Sequence, residues 1–401
     1  MPLFFRKIKH SMLFTLVKIL AAFSAGNRHH TFAGSGSSAQ LCRHIVHTGF
    51  SKVLVVTDQA LRELGVVDRA ISVLSASGCE VTFYDGVLPD PTYDQVAAGV
   101  AVAKANGNDA ILAVGGGSSI DAAKVIAASA TSEESPQDWE GFGKVKHETM
   151  RLFAIPTTAG TGSEATIGAV ISDAQTHQKA VISGSSLLPD AVALDPDLLL
   201  GLPPSITAAT GMDALTHAIE AYIGTWDRGS RLEDARMAVK LVFEHLPTAY
   251  RDGENRDARA GMSMAAYYGG LAINQVNVGN VHAIAHQLGS KYGIPHGLAN
   301  ALVLPHVLEF CVHEAAPRLA ELARLIGVGG RDSSNEQLAH RFVAAVRDLR
   351  TQVGIADRSD RLRADDFSQI AKLAIEEGDG YPVPRLLDKT SVLAILGRIA
   401  C

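Results

Sequence analysis

Cysteine is scarce. The chain of 401 residues carries four, Cys42, Cys79, Cys311 and Cys401, scattered and without a CxxC spacing. That pattern signals neither a disulfide framework nor a thiolate zinc site, and it fits a reducing compartment. No lysine- or arginine-dense run stands out, and a formal net charge of -6 argues against a nucleic-acid surface. Long apolar runs are missing too. The opening MPLFFRKIKHSMLFTLVKILAAFSAGN has the basic start and apolar continuation of a secretory signal, but Lys18 interrupts it well short of the roughly 20 residues of a membrane span. Phe4 to Phe23 therefore reads as an amphipathic helix packed on its own domain or a partner subunit, ahead of a cleaved signal or a helix resting on a membrane. A cytoplasmic protein acting on soluble partners is the expectation.

What the chain does have is length enough for two domains. From about residue 50 to 200, β-branched runs alternate with helical patterns, as in a parallel α/β sheet. Lys52 to Thr57, Glu80 to Tyr84, Ala110 to Val114, Leu152 to Ile155 and Ala191 to Leu194 read as strands. After Pro203-Pro204, apolar residues recur at three- and four-residue spacing through segments near 205–223, 231–250, 257–273, 297–310, 314–326, 335–353 and 366–377. The expected organisation is a helical extension over 1–30, an α/β domain over 31–203 and an all-helical domain over 204–401. A cleft between the two halves is the natural place for an active site.

GGGSSIDAAK, Gly115 to Lys124, follows a predicted strand and opens a predicted helix. Glycines allow close backbone approach, and the helix N-terminus favours an anion such as a pyrophosphate. An ordinary tight turn accounts for a glycine triplet equally well. Gly34 to Ala39 and Gly160 to Ala165 also fit the G-x-G-x-x-A fingerprint. The first has no clear strand before it, and the second runs into strand-like ATIGAVIS, so both are set aside. Asp58 closes the strand KVLVVT, where a carboxylate can bind ribose hydroxyls and repel a 2′-phosphate, favouring NAD over NADP. It also suits a helix N-cap, and both roles can hold together.

In GMDALTHAIEAY, Asp213 and His217 stand four residues apart on a predicted helix and could share an ion. VHAIAHQLGSKYGIPHG places His282 and His286 at the same spacing, with His296 after a proline. A metalloprotease would need a glutamate where Ala283 stands, so that reading falls. One carboxylate and several imidazoles behind a nucleotide-binding half point instead to a metal-assisted reaction.

These stretches, with PTTAGTGSEAT (Pro156 to Thr166) and VHAIAHQLGSKYGIPHGLANA, resemble the iron-containing (group III) alcohol dehydrogenase family over nearly the whole chain. The resemblance implies an N-terminal α/β dinucleotide-binding domain and an all-α C-terminal domain, the architecture shared with dehydroquinate synthase. It implies Asp213, His217, His282 and His296 as metal ligands, with His286 beside them as a non-ligand. Gly116, Gly117 and Ser118 would hold the pyrophosphate, Asp121 would line the same loop, and Asp58 would bind the adenosine ribose. Thr157, Thr158, Thr161 and Thr166 would wrap the NAD, and Lys179 corresponds to a lysine near the cofactor. Iron is the expected metal, though zinc suits the same donors. A homodimer is expected on the same ground.

The chain departs from that family in three places. Asp90 in LPDPT stands where many members have asparagine, the segment from Tyr267 to Asn280 differs and is expected to line the substrate pocket, and the N-terminal extension is absent from many members. Expected activity is the interconversion of a small or medium neutral alcohol and its aldehyde or ketone, with His286 passing the alcohol proton toward solvent. A lyase of the dehydroquinate-synthase type would need a basic cluster near the metal motifs, and none is evident. A non-catalytic oligomer would have little reason to keep both the glycine loop and the metal set.

Overall fold

The structure, a computed structural model, describes residues 6, 7, 9 and 10 and residues 29–401 apart from 177, 227–230 and 331. The amphipathic helix expected over Phe4 to Phe23 lies, those four residues excepted, outside the described residues. The rest divides into two compact units.

The first unit comprises Asn27–Leu202 with Glu254–Tyr267. Its centre is a six-stranded parallel sheet of β1 (His30–Ala33), β2 (Lys52–Val56), β3 (Glu80–Tyr84), β4 (Ala110–Gly115), β5 (Arg151–Pro156) and β8 (Ala191–Leu194), in the order β1-β8-β5-β4-β2-β3. The central strands are near-continuous apolar runs because both faces of the sheet are covered. Val53, Val55, Leu112 and Val114 join one core with helices α1 (Ser37–His47) and α3 (Val66–Ala76). Their neighbours Leu54, Val56, Ile111 and Ala113 join the other, with α4 (Tyr93–Asn106) and α5 (Gly117–Ala130). The short α2 (Gln59–Glu63) follows β2, and β6 (Gly168–Ser172) and β7 (Lys179–Ser183) form a separate antiparallel pair.

β1 corrects one expectation. Gly34 to Ala39 does follow a strand and does open a helix, α1. The strand escapes notice because it is a four-residue edge, HTFA, with no fully buried residue and so no apolar run. Its loop is nevertheless already occupied by an anion: the Asp195 carboxylate accepts from Gly36 N at 3.2 Å, Ser38 N at 3.0 Å and Ser38 Oγ at 2.6 Å. Gly160 to Ala165 ends in a single 3-10 turn before β6, with no helix to complete a fingerprint.

The second unit comprises Pro203–Gly253 and Tyr268–Cys401 with the described part of the N-terminal segment. Its helices are α6 (Pro204–Ile223), α7 (Arg231–Arg251), the C-terminal part of α8 (Arg256–Val276), α9 (Asn280–Tyr292), α10 (His296–Phe310), α11 (Ala316–Leu325), α12 (Asn335–Gln352), α13 (Phe367–Gly378) and α14 (Lys389–Ile399). Pro204 takes the first position of α6, where its missing N–H costs nothing. α10 starts hard against α6: a Cβ at Gly297 would lie 2.3 Å from the Ala209 carbonyl oxygen, so only glycine allows this approach. Among the described residues, no helix is long and apolar enough to cross a membrane.

Candidate functional site

Three helices of the second unit bring the sequence-predicted ligands together. Asp213 and His217 share one face of α6 by their four-residue spacing, His282 comes from the first turn of α9, and His296 is the first residue of α10. One donor atom from each of the four lies within 4.8 Å of every other. Asp213 Oδ1 is 3.9 Å from Nε2 of His217, 3.9 Å from Nε2 of His282 and 3.4 Å from Nε2 of His296.

The donor set fits a divalent cation, and the surrounding hydrogen bonds say why. Glu220, two turns along α6 from Asp213, accepts from His282 Nδ1 at 2.6 Å. A carboxylate is an acceptor, so the ring proton sits on Nδ1 and the Nε2 lone pair points at the cluster. Burial, reinforced by His217, His296 and His286, holds the His282 imidazole well below its usual pKa, so the ring stays neutral. In the middle of the cluster the Asn300 amide nitrogen lies 2.6 Å from Asp213 Oδ1, 3.1 Å from His282 Nε2 and 3.2 Å from His296 Nε2. A lone amide donor met by three acceptors describes a place with a surplus of lone pairs, which a cation satisfies better.

Glu220 does a second job. Its Oε2 accepts from Gly279 N at 2.9 Å and its Oε1 from Val281 N at 2.6 Å, so it also caps α9. Burial outweighs these donors and pushes its carboxyl up to about 8. A divalent cation in the cluster acts in the opposite direction. His286, one turn beyond His282, stacks on His296 with ring centroids 5.3 Å apart. Its Nδ1 lies 2.6 Å from Glu377 Oε1, leaving Nε2 for other work.

In the first unit, β2 and β4 are neighbours from which the chain proceeds in opposite directions, to β3 on one side and to β5 and β8 on the other. Ligands of such sheets bind beyond the strand ends at that point. Asp58 follows β2 there, and Gly116 and Gly117 follow β4. Like that of α1, the N-terminus of α5 has no cap from its own N-cap residue and no acidic residue in its first turn. At α1 the distant Asp195 takes the anion's place, whereas the α5 terminus is open to an outside anion. Thr158 and Thr161 lie over the loop: a Cβ at Gly117 would come 2.7 Å from Thr161 Cγ2. Thr157 N bonds Gly115 O at 3.0 Å. Asp58 Oδ1 accepts from Leu61 N at 2.9 Å as the N-cap of α2.

Other predicted cofactor residues are engaged elsewhere. Asp121 bonds Ser163 Oγ and, at 2.9 Å, Val170 N. Lys124, fully buried, donates to Ser163 O at 2.7 Å, Thr166 Oγ1 at 2.9 Å and Gly168 O at 2.6 Å. Asp121 and Thr166 thus tie the threonine-rich loop onto α5. Lys179 pairs with Asp90, whose backbone is left-handed at φ 56, a conformation that Asp and Asn tolerate best after glycine.

Comparison with known proteins agrees with this geometry. The pattern of iron-containing alcohol dehydrogenases matches residues 29–196, and that of the C-terminal region of the same family matches 207–400. The chain belongs to the iron-containing alcohol dehydrogenase family. Alcohol dehydrogenase 4 of Saccharomyces cerevisiae is 36% identical over 91% of this chain and 95% of its own length. A 1,3-propanediol oxidoreductase structure, 35% identical, superposes with a TM-score of 0.90 over 92% of this chain and 97% of its own. A sulfoacetaldehyde reductase from Bifidobacterium kashiwanohense, solved with NAD+, is 27% identical, with a TM-score of 0.86 over 94% of this chain and 98% of its own.

In this alcohol dehydrogenase three residues beside the cluster went unnoticed in the sequence. Glu220 and Asn300 carried a signal: they stand three residues after His217 and four after His296, each on the same helical face. Glu377 carried none, since it lies 91 residues from the His286 it holds.

Proposed function

We propose that this chain interconverts a small or medium neutral alcohol and its aldehyde or ketone, with NAD as hydride carrier and one divalent ion, Fe2+, held by Asp213, His217, His282 and His296. The observation that carries the proposal is the convergence of one carboxylate and three imidazoles, with the His282 lone pair turned inward by Glu220, in a member of this family. The NAD+ bound to the sulfoacetaldehyde reductase supports the choice of cofactor. Zinc suits the same donors, so the metal is a separate experimental question.

When bound, the ion supplies Lewis acidity to the substrate oxygen and the nicotinamide supplies the hydride acceptor or donor. The chain's own residues bind, orient and move the proton. Gly116, Gly117 and Ser118 at the start of α5 take the pyrophosphate, with Thr157, Thr158 and Thr161 against it and Asp121, Thr166 and Lys124 bracing that loop from behind. Asp58 takes the adenosine ribose without giving up its N-cap bond, and Lys179 lies near the cofactor. His286, oriented by Glu377, accepts the alcohol proton at Nε2 and returns it in the reductive direction. We place the enzyme in the cytoplasm as a homodimer, with no nucleic-acid partner and no membrane contact.

The test is anaerobic assay of NADH oxidation and NAD+ reduction against a panel of neutral aldehydes, ketones and alcohols, with Fe2+ or Zn2+ supplied. Turnover that requires the ion supports the reading. Stoichiometric metal with no turnover of any carbonyl or alcohol contradicts it.

A further inference from the structure

Residues 6–10 precede the stretch that the family pattern matches, which begins at residue 29. Two of them grip one segment of the helical unit. Arg6 Nε lies 3.1 and 2.8 Å from the two carboxylate oxygens of Asp379, and its Nη2 reaches the same carboxylate and donates to Leu387 O at 3.0 Å. His10 Nε2 lies 2.7 Å from Tyr381 O. The Arg6 side chain is 11% exposed and that of Asp379 36%, so the fork is partly withdrawn from water, and its bidentate geometry favours it over an ordinary surface pair.

The segment they hold, 379–387, joins α13 to α14 without regular structure. It bears on the metal cluster in two places. Tyr381 Oη donates at 2.7 Å to Glu377 Oε1, the oxygen that also meets His286 Nδ1. Pro382, Val383 and Pro384 roof a small cavity whose other walls include Glu220, Gly279 and Asn280, the acid and helix start that orient His282. From inside, the segment is fixed by Thr225 N to Pro382 O at 2.7 Å and by Asn280 Nδ2 to Arg385 O at 2.8 Å. From outside, the Arg385 guanidinium donates to Phe310 O at 2.8 Å, and the N-terminal segment spans the loop from Asp379 to Leu387.

We propose that Arg6 and His10 act as a clamp on residues 379–387, and through Tyr381–Glu377 and the roof over Glu220 are positioning residues for His286 and His282. The N-terminal segment is then a working part of the metal centre. Loosening it lets Glu220, which holds the ligand His282 in register, and Glu377, which holds His286 beside the cluster, drift, so metal is retained less well through His282 although no ligand has changed. This inference rests on the reading of the four-residue cluster as a metal centre.

The experiment compares full-length wild type with Arg6→Ala, Arg6→Asp, Asp379→Arg and the charge swap Arg6→Asp/Asp379→Arg, each loaded with Zn2+. Two quantities are measured: amide hydrogen exchange by mass spectrometry, and release of Zn2+ to excess chelator. The single variants should exchange faster over 379–387 and not elsewhere in the helical unit. They should release Zn2+ about three- to ten-fold faster, short of the roughly 10–100-fold cost of losing a direct partner. The swap should restore both. Zn2+ release at the wild-type rate from Arg6→Ala, with or without faster exchange, overturns the clamp, as does a global rise in exchange that the swap leaves uncorrected. Wild type that takes up no metal overturns the metal-centre reading and the clamp with it.

Discussion

Glu220 and His282 meet at 2.6 Å, carboxylate oxygen to Nδ1, with each side chain 2% exposed. The same carboxylate takes two backbone N–H groups at the start of α9. Three donors converge on two acceptor oxygens, and glutamine offers only one acceptor. Glu220→Gln should therefore leave the four ligands in place yet weaken metal binding roughly 10–100-fold. Competition with a chromophoric chelator measures it, and wild-type affinity in the variant would show that His282 needs no such partner.

Asn300 sits where an ion would draw on the same lone pairs. In metal-stripped protein its amide is the group that satisfies Asp213, His282 and His296. Asn300→Ala should accordingly destabilise the metal-stripped protein by about 1–3 kcal/mol, the cost of unpaired buried acceptors. Metal-saturated protein should lose less, so the rise in Tm on adding metal should be larger in the variant. Equal losses in both forms would mean that the amide serves the fold and not the cluster.

Glu164 titrates in a useful range. Burial pushes its carboxyl from 4.5 up to about 7, against the pull of its own N–H and of Lys124, which burial brings down to about 8. Between about pH 4.5 and 7 the folded chain keeps a proton that the unfolded chain releases, so stability falls as pH rises through that window. Glu164→Gln removes the titration and should gain on wild type by ~1–3 kcal/mol across it. Urea unfolding at a series of pH values gives the difference, and a constant offset would contradict the assignment.

Asp58 is asked to do two things, and one substitution separates them. Asparagine caps a helix as well as aspartate but carries no charge to repel a 2′-phosphate. Asp58→Asn should raise kcat/KM with NADPH relative to NADH while leaving Tm within a degree or so of wild type, since N-cap Asn and Asp are nearly equivalent. An unchanged cofactor ratio would take Asp58 out of the ribose site.

The legible parts of this chain are those where a single local pattern decides the outcome. Val53 to Val56 and Ala110 to Val114 announce central parallel strands because burial on both faces demands unbroken apolar runs. Asp213 and His217, or His282 and His286, announce a shared helical face because the spacing is one turn. β1 was not legible because an edge strand needs no such run, and its pairing with β8 is a property of residues 191–194 as much as of its own. Asp195, which fills the anion place of the first glycine loop, is 157 residues from the Ser38 it binds. Glu220 reaches His282 across 62 residues. The proposed ligands sit on elements whose patterns can be read, whereas the groups that orient them are fixed by how those elements pack.

The central claim is that Asp213, His217, His282 and His296 hold one ion, and metal content tests it most directly. Wild type and His282→Ala, purified anaerobically and shown by circular dichroism to be equally folded, would be analysed by mass spectrometry for bound metals. The account predicts stoichiometric metal in wild type and almost none in the variant. The same metal content in both would contradict it.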